Sequence, residues 1–104
     1  MFKYKTLKDK CRVTIGGDMT VYSAEELKQK LVQVLAEPKA LDINLSGVEE
    51  IDSAGIQLLM MAKKSRAAAG LPLRLVDHSK AVMAAFEIMG LVSYFGDPVV
   101  MLNE

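Results

Sequence analysis

The most informative segment of the chain is Leu45-Ser46-Gly47-Val48-Glu49-Glu50-Ile51-Asp52-Ser53-Ala54-Gly55. It joins the end of a predicted strand to the start of a predicted helix, the place where ligands and partners usually meet an open α/β sheet. Three carboxylates, those of Glu49, Glu50 and Asp52, crowd Ser53. Two interpretations are open on these residues alone. Either Asp52 or Ser53 only caps the helix while Gly55 allows close packing, or Ser53 presents its hydroxyl to another molecule.

Outward from this stretch, apolar and polar residues alternate with the period of two that is typical of strands. The alternation predicts strands at Phe2–Thr6, Cys11–Ile15, Leu41–Leu45 and Leu73–Val76. We expect the first strand at an edge of the sheet and the strongly apolar Leu73–Val76 near its centre. Thr20–Tyr22 is predicted to extend the second strand, whereas Ser46–Asp52 is too polar to continue the third. Val92–Phe95 and Val99–Leu102 are two further strand candidates.

The first predicted helix opens at Ser23, and Glu26 three residues later completes the pattern of a capping box. Behind this start runs one apolar stripe, formed by Leu27, Leu31, Val34 and Leu35. Pro38 stops the helix because proline has no amide hydrogen and its ring clashes with the preceding turn.

Two more helices follow the third and fourth strands. One begins at Asp52 or Ser53 and runs to about Ala69, with Gly70 just past its end. The other is capped by Ser79 and closed by Gly90, and its apolar face comprises Val82, Met83, Phe86 and Met89. Strand–helix–strand units of this kind imply a mixed, mostly parallel sheet packed with α-helices. The predicted fold class is therefore α/β, with one domain over residues 1–104.

Composition excludes several classes of protein. The 104 residues carry 13 basic and 13 acidic side chains, and this balance does not favour nucleic acid or an anionic membrane as a partner. Cys11 is the only cysteine, so no intramolecular disulfide forms. No apolar run approaches the ~18 residues of a membrane span, and no apolar stretch follows the N-terminal lysines as in a secretory signal. We therefore expect a cytoplasmic protein.

The residues do not predict an enzyme. Ser53 lies in a turn that faintly resembles a nucleophile elbow, but Ile51 stands where that motif requires its first glycine. His78 is the only histidine, and a lone loop histidine is usually solvated or a local hydrogen-bond partner. Gly16-Gly17 lacks the length and the lysine of a phosphate-binding loop. We predict no catalytic residue, no metal site and no cofactor, and a hydrolase using Ser53 has the least support.

The helix segment Ile56–Met61 is apolar nearly all round. Methionines such as Met60 and Met61 mostly fill cores, but two adjacent side chains cannot both face the same way. This helix is therefore either buried on both sides or keeps part of its surface for a partner.

Three segments resemble a known family. Asp52-Ser53-Ala54-Gly55, between a strand and an apolar helix, resembles the signature of STAS domains, the fold shared by anti-sigma-factor antagonists and the cytoplasmic tails of sulphate transporters. The upstream segment 17–27, Gly-Asp-Met-Thr-Val-Tyr-Ser-Ala-Glu-Glu-Leu, is similar to a second family motif. Leu73–Val76, the helix after it and Met89-Gly90-Leu91 resemble the family's last strand, helix and turn. The resemblance spans roughly Cys11 to Phe95 and is to the free-standing bacterial members.

In antagonist members of this family, the serine directly after the aspartate is phosphorylated by a partner kinase that is also an anti-sigma factor. The unmodified protein binds that partner and frees a sigma factor, and a phosphatase reverses the modification. The resemblance therefore implies that Ser53 is the phosphorylation site. It also implies a partner-binding surface formed by Asp52, Ser53, Ala54, Gly55, Thr20, Ile56 and Glu49.

Two residues depart from the antagonist pattern. Ala54 replaces a second hydroxyl residue, and Thr20 stands where antagonists often carry aspartate. Both differences also occur in STAS subunits of bacterial phospholipid-transport complexes and in members linked to chemotaxis-type signalling. The alternative function is thus a constitutive subunit without phosphorylation. In that case Ser53 is a structural cap, and Ile56–Met61 docks on an ABC transporter ATPase or a signalling scaffold.

Overall fold

The computed structural model describes residues 1–95, in which four strands form one sheet. The strands are β1 (Phe2–Thr6), β2 (Lys10–Met19), β3 (Ala40–Ile51) and β4 (Leu73–Val76). The helices are α1 (Ala24–Val34), α2 (Ser53–Ala68), α3 (Lys80–Ile88) and α4 (Val92–Phe95). Among these helices, none has the length and apolar character needed to cross a bilayer.

The sheet has the order β1-β2-β3-β4. β1 runs antiparallel to β2, whereas β2–β3 and β3–β4 are parallel pairs connected through α1 and α2. Parallel neighbours require crossovers of this kind because the chain must return to the same end of the sheet. The mixed, mostly parallel α/β fold predicted from the sequence is confirmed, and so is the edge position of β1.

One face of the sheet packs against the helices. Alternate residues of β2 and β3 on this face are buried, namely Cys11, Val13, Ile15, Leu41, Ile43 and Leu45. The predicted α1 stripe is buried against them, as are Ile56 and Leu59 of α2 and Val82 and Phe86 of α3. The helices thus share one core on one side of the sheet.

The predicted end of the third strand at Leu45 is wrong, because β3 continues to Ile51. Two glycines explain the extra length. Gly47 pairs with Gly16 of β2, and a Cβ on Gly47 would lie only 3.3 Å from the Gly16 Cα. The missing side chains let the strands stay paired across a bulge, and the buried Val48 anchors the polar segment.

The segment before α1 also differs from the prediction. Thr20–Tyr22 forms a turn rather than a strand extension. Ser23 is the N-cap residue, but its side chain does not close a capping box with Glu26. Instead, the Ser23 hydroxyl accepts a hydrogen bond from the Thr20 amide at 3.0 Å and donates one to the Asp18 carbonyl at 2.8 Å. Its hydrogen bonds therefore stabilise the turn.

Three predictions toward the C-terminus need correction, and a fourth falls outside residues 1–95. β4 lies at the edge of the sheet rather than at its centre, and Val92–Phe95 is a short helix rather than a strand. Phe95 is buried and stacks on Phe86 with ring centroids 4.9 Å apart, which favours the helical turn over an added strand. Met89 is exposed because α3 ends one residue before it. The strand candidate Val99–Leu102 lies outside the described residues.

Arg66 of α2 is fully buried among the ends of other elements. Its guanidinium donates to the backbone carbonyls of Leu35, Glu37, Lys39 and Pro72. These carbonyls belong to the end of α1, to the connection into β3 and to the residue before β4. One side chain of α2 therefore joins residues 35–39 to Pro72, at the end of the sheet where β3 and β4 begin.

Candidate functional site

The start of α2 is organised by Asp52, its N-cap residue. One carboxylate oxygen accepts hydrogen bonds from the amides of Ala54 and Gly55, at 2.9 and 3.3 Å. The other oxygen accepts from the Val21 amide at 2.9 Å. The Val21 hydrogen bond, with those from Gly55 and Ala54, holds the pKa of Asp52 below its ordinary value. A charged Asp52 therefore fixes both the helix start and the turn beside it.

Ser53 is the first residue of α2, and its side chain is exposed. The helix N-terminus points free amide hydrogens and the positive end of the helix dipole toward this position. Because Asp52 already satisfies two of those amides, the Ser53 hydroxyl is not needed as the cap. The structure therefore separates the capping residue from the residue that faces the surroundings.

Gly55 allows α2 to begin directly against the ends of β2 and β3. A Cβ at this position would overlap the Met19 carbonyl oxygen, and it would lie 2.9 Å from both Ile51 Cγ1 and Met19 Cβ. The Asp52 amide also donates to the Met19 carbonyl, at 3.2 Å. The sequence reasoning that Gly55 permits close packing matches this contact.

The turn between β2 and α1 lies beside this helix start, because Asp52 holds the Val21 amide. Tyr22 at the tip of the turn is 97% exposed, and Val21 is 64% exposed. The two adjacent apolar side chains are therefore available for contact with another molecule. Neither residue belongs to the partner-binding surface predicted from the sequence, although turn residues before a helix start are a usual place for contacts.

Acidic side chains lie around the C-terminal ends of β2 and β3, next to the start of α2. Glu49 and Glu50 are exposed near the end of β3, and Asp18 pairs with Glu50 across the β2–β3 ladder. With Asp52 they give the region around Ser53 a negative potential. An added anion at Ser53 would be favoured by the helix dipole and opposed by these carboxylates.

The predicted surface residues fall into two groups. Thr20, Asp52, Ser53, Ala54 and Glu49 are exposed or half-buried. Gly55 and Ile56 are buried, and Ile56 is only 1% exposed within the core. Ile56 is therefore a core residue, and its place in the predicted partner-binding surface is wrong.

The histidine that was the only candidate for a catalytic base lies in the core. His78 is buried rather than solvated and lies edge-on to Phe86, with ring centroids 5.7 Å apart. Asp77, the residue before His78, accepts a hydrogen bond from Asn44 at 2.8 Å, and Ser79 caps α3. Over residues 1–95, no three His, Cys, Asp or Glu side chains form a group that could hold a metal ion.

Comparisons with known proteins agree with this architecture. A family model described as "Mlab, STAS domain" matches residues 2–100. The anti-sigma-B factor antagonist of Bacillus subtilis is 34% identical over 80 residues, which cover 77% of this chain and 73% of that protein.

Two solved structures share the fold at lower identity. An anti-sigma factor antagonist from Mycobacterium paratuberculosis superposes with a TM-score of 0.79 at 23% identity, covering 95% of this chain and 83% of that one. The Bacillus cell fate determinant SpoIIAA in its phosphorylated form gives a TM-score of 0.70 at 15% identity, covering all of this chain and 93% of that one. With the family match over nearly its full length, the chain belongs to the STAS domain family and is a relative of the anti-sigma-factor antagonists.

Proposed function

We propose that this protein is a non-enzymatic, cytoplasmic anti-sigma-factor antagonist, switched by reversible phosphorylation of Ser53. Its partner is a serine kinase that is also an anti-sigma factor, and a phosphatase restores the unmodified form. The observation that carries the proposal is the exposed Ser53 hydroxyl at the first position of α2, next to a capping Asp52 that leaves it unused. The related protein of Bacillus subtilis supports the same class of partner.

The charge around Ser53 explains how phosphorylation would end binding. A phosphate adds about −1.5 to −2 charges at neutral pH. The neighbouring Asp18, Glu49, Glu50 and Asp52 already make this region acidic, and a partner adapted to the unmodified protein packs against a neutral hydroxyl at Ser53, with no cation reserved for a further charge there. Further negative charge placed among them changes the surface potential more than it changes the fold, and a charge mismatch across an interface costs several kcal/mol.

The proposed contact surface extends from Ser53 to the turn before α1. It comprises the exposed or half-buried Thr20, Val21, Tyr22, Glu49, Asp52, Ser53 and Ala54. Asp52 orders this surface because its two oxygens bind the α2 start and the turn together. Tyr22 supplies the large aromatic group that dominates many protein interfaces.

Incubation with the partner kinase and ATP tests the modification site. The kinase used is the one that copurifies with the protein from its own cells, and peptides are mapped by mass spectrometry. We expect phosphate on Ser53 and no incorporation in Ser53→Ala, whereas Ser46→Ala, which removes another exposed hydroxyl, incorporates as much as the unaltered protein. Phosphate on a different residue, or on none, contradicts the proposal.

Replacing Tyr22 with alanine tests the contact surface separately from the phosphate. We expect the affinity for the partner kinase, measured by calorimetry, to fall roughly 30-fold, in the range of an aromatic interface anchor. The free energy of unfolding should change by less than about 0.5 kcal/mol, because the side chain is almost fully exposed.

Ile88→Ala is the matched control for Tyr22→Ala. Ile88 is also a large apolar residue, 85% exposed, but it lies at the last residue of α3. Its removal should leave the affinity within about twofold. Equal losses from the two variants would show that exposed apolar area in general, rather than this turn, drives binding, and the proposed surface would be wrong.

A second candidate function rests on the outer side of α2. Met60 and Met61 are half-buried and, with Gln57, Lys64 and Ser65, line an open groove of about 470 Å³. A constitutive assembly subunit would dock on a partner there, without modification of Ser53. Purification of the protein with its native partners separates the two functions, because a kinase supports the antagonist and an ABC ATPase or a signalling scaffold supports the subunit.

A further inference from the structure

The face of the sheet opposite the helices carries a concentrated positive charge that the net charge of zero conceals. Phe2, Tyr4 and Thr6 of β1 lie opposite the buried Ile15, Val13 and Cys11 of β2, so the residues between them point to the other side. The same alternation places five cations on that other side, namely Lys3, Lys5, Lys10, Arg12 and Arg74. We call these residues the basic face.

The register of the sheet places the basic face in rows. Lys5 pairs with Arg12, Arg12 with Asp42, and Asp42 with Arg74, so one row crosses all four strands. Neighbouring strands are about 4.8 Å apart, and the row therefore spans roughly 14 Å. Lys3 and Lys10 extend the charge along β1 and β2. Lys3, Lys5 and Arg74 are exposed, and Lys10 and Arg12 are half-buried.

Asp42 is the carboxylate inside this row. It pairs with three of the five cations, so the basic face keeps a net positive charge. Asp42 is only 2% exposed and pairs with Lys10 at 2.8 Å, Arg74 at 3.2 Å and Arg12 at 3.9 Å. Burial by itself would raise the pKa of Asp42, but the hydrogen bonds and charges of Arg74 and Lys10 outweigh burial and hold the pKa below its ordinary value. One carboxylate is thus shared among three cations, while within residues 1–95 no ion pair joins Lys3 or Lys5 to a carboxylate. Asp77 lies just past the end of β4 and binds Asn44.

The chemistry of the basic face distinguishes among anionic partners. Single-stranded nucleic acid binds where aromatic rings stack on bases, and the rows hold no aromatic residue. Duplex grooves admit a projecting helix or ribbon, whereas this face is a sheet surface. Protein interfaces have apolar cores with aromatic residues and methionine, and Val76 is the only large apolar residue in these rows. Binding to the phosphates of a lipid surface requires only that several cations lie in one plane, as they do on the basic face.

We propose that the basic face docks the protein electrostatically on a membrane surface rich in anionic lipids. Each Lys or Arg near such a surface contributes a roughly fivefold gain in binding, and the attraction is screened by salt. The protein rests on the headgroups without inserting. Ser53 lies at the start of α2, beyond the C-terminal ends of β2 and β3, and not on the basic face. The docked protein therefore keeps Ser53 open to a partner. The inference does not depend on the proposed switch.

Cosedimentation with vesicles tests the docking. The full chain is mixed with vesicles of phosphatidylglycerol and phosphatidylcholine in equal parts, or of phosphatidylcholine alone. We expect binding to the anionic vesicles at least about tenfold above the neutral ones, and loss of the difference on adding salt. The double variant Lys3→Gln/Lys5→Gln should bind the anionic vesicles about 25-fold more weakly, since it removes two of the contributing charges.

Lys28→Gln/Lys64→Gln is the control, because it removes two exposed lysines from the helix side of the sheet. The helix layer and the core separate these lysines from the basic face, and salt screens charges beyond a length of about 8 Å. This variant should therefore bind within about twofold of the unaltered protein. Equal losses from both double variants, no preference for anionic vesicles, or tighter binding to duplex DNA than to vesicles would each overturn the proposal. Thermal melting of all variants verifies that they remain folded.

Discussion

Replacing Ser53 with glutamate is expected to weaken binding to the partner kinase about 100-fold. The substitution places a full negative charge at the exposed first position of α2, beside Asp52 and within an edge that already carries Asp18, Glu49 and Glu50. A charge that the partner leaves unpaired costs several kcal/mol at an interface, and about 2.7 kcal/mol corresponds to 100-fold. The free energy of unfolding should stay within about 1 kcal/mol, since the helix dipole favours the charge and the side chain remains exposed.

Ser53→Gln is the matched control, because glutamine has the size of glutamate without its charge. We expect this variant to retain affinity within about fivefold, so that the difference between the two variants reports charge alone. Calorimetric titration of the partner kinase measures both. If Ser53→Glu and Ser53→Gln bind equally, or if Ser53→Glu binds like the unaltered protein, the regulatory role of Ser53 is wrong.

Replacing Arg66 with methionine is expected to lower the free energy of unfolding by about 3 kcal/mol. The guanidinium satisfies four carbonyls, those of Leu35, Glu37, Lys39 and Pro72, in a region where Arg66 itself is fully buried. A buried acceptor left without a donor costs about 1–3 kcal/mol. Methionine recovers part of this loss by avoiding burial of a charge. The shift of the urea denaturation midpoint measures the change.

Two further substitutions separate the hydrogen bonds of Arg66 from its charge. Arg66→Lys keeps the charge but lacks the planar fork of donors, so we expect it to lose more than about 1 kcal/mol of stability as well. Lys64→Met changes an exposed cation on the same helix and should stay within about 0.5 kcal/mol. A stability of Arg66→Met equal to that of Lys64→Met would show that the carbonyls find other donors.

Local periodicity predicted most of the fold because each strand or helix buries one face. The period of two located β1, β4 and the first half of β2, and the period of 3.6 located α1 and α2. The pattern failed at β3, where the residues after Leu45 are polar and the strand persists because Gly47 pairs with Gly16. It also failed at Val92–Phe95, where packing of Phe95 on Phe86 decides the local structure. Both depend on contacts between distant residues, which local patterns do not contain.

The candidate site was predictable in part for the same reason. Asp52 and Ser53 combine a capping pattern with a family signature, and the structure separates the cap from the exposed hydroxyl. The contact role proposed for Tyr22 was not predictable from the sequence, because the exposure of its side chain depends on the turn that Asp52 holds. The basic face escaped notice because a net charge sums over the whole chain, whereas the strand register collects the cations on one side. The burial of Arg66 was not predictable from its position on a helix, because it depends on contacts with residues 35–39 and with Pro72.

The contact at Gly55 limits how a signal at Ser53 can travel. The first turn of α2 already touches Met19 and Ile51 with no room for even a methyl group. Transitions that carry information through a protein usually require an element with two packed arrangements, such as a helix that slides past its neighbours. The first turn of α2 has no alternative packed position closer to the sheet. A phosphate on Ser53, as proposed above, would therefore act on the molecule that binds the surface around Ser53, without a change carried through the core to a distant site.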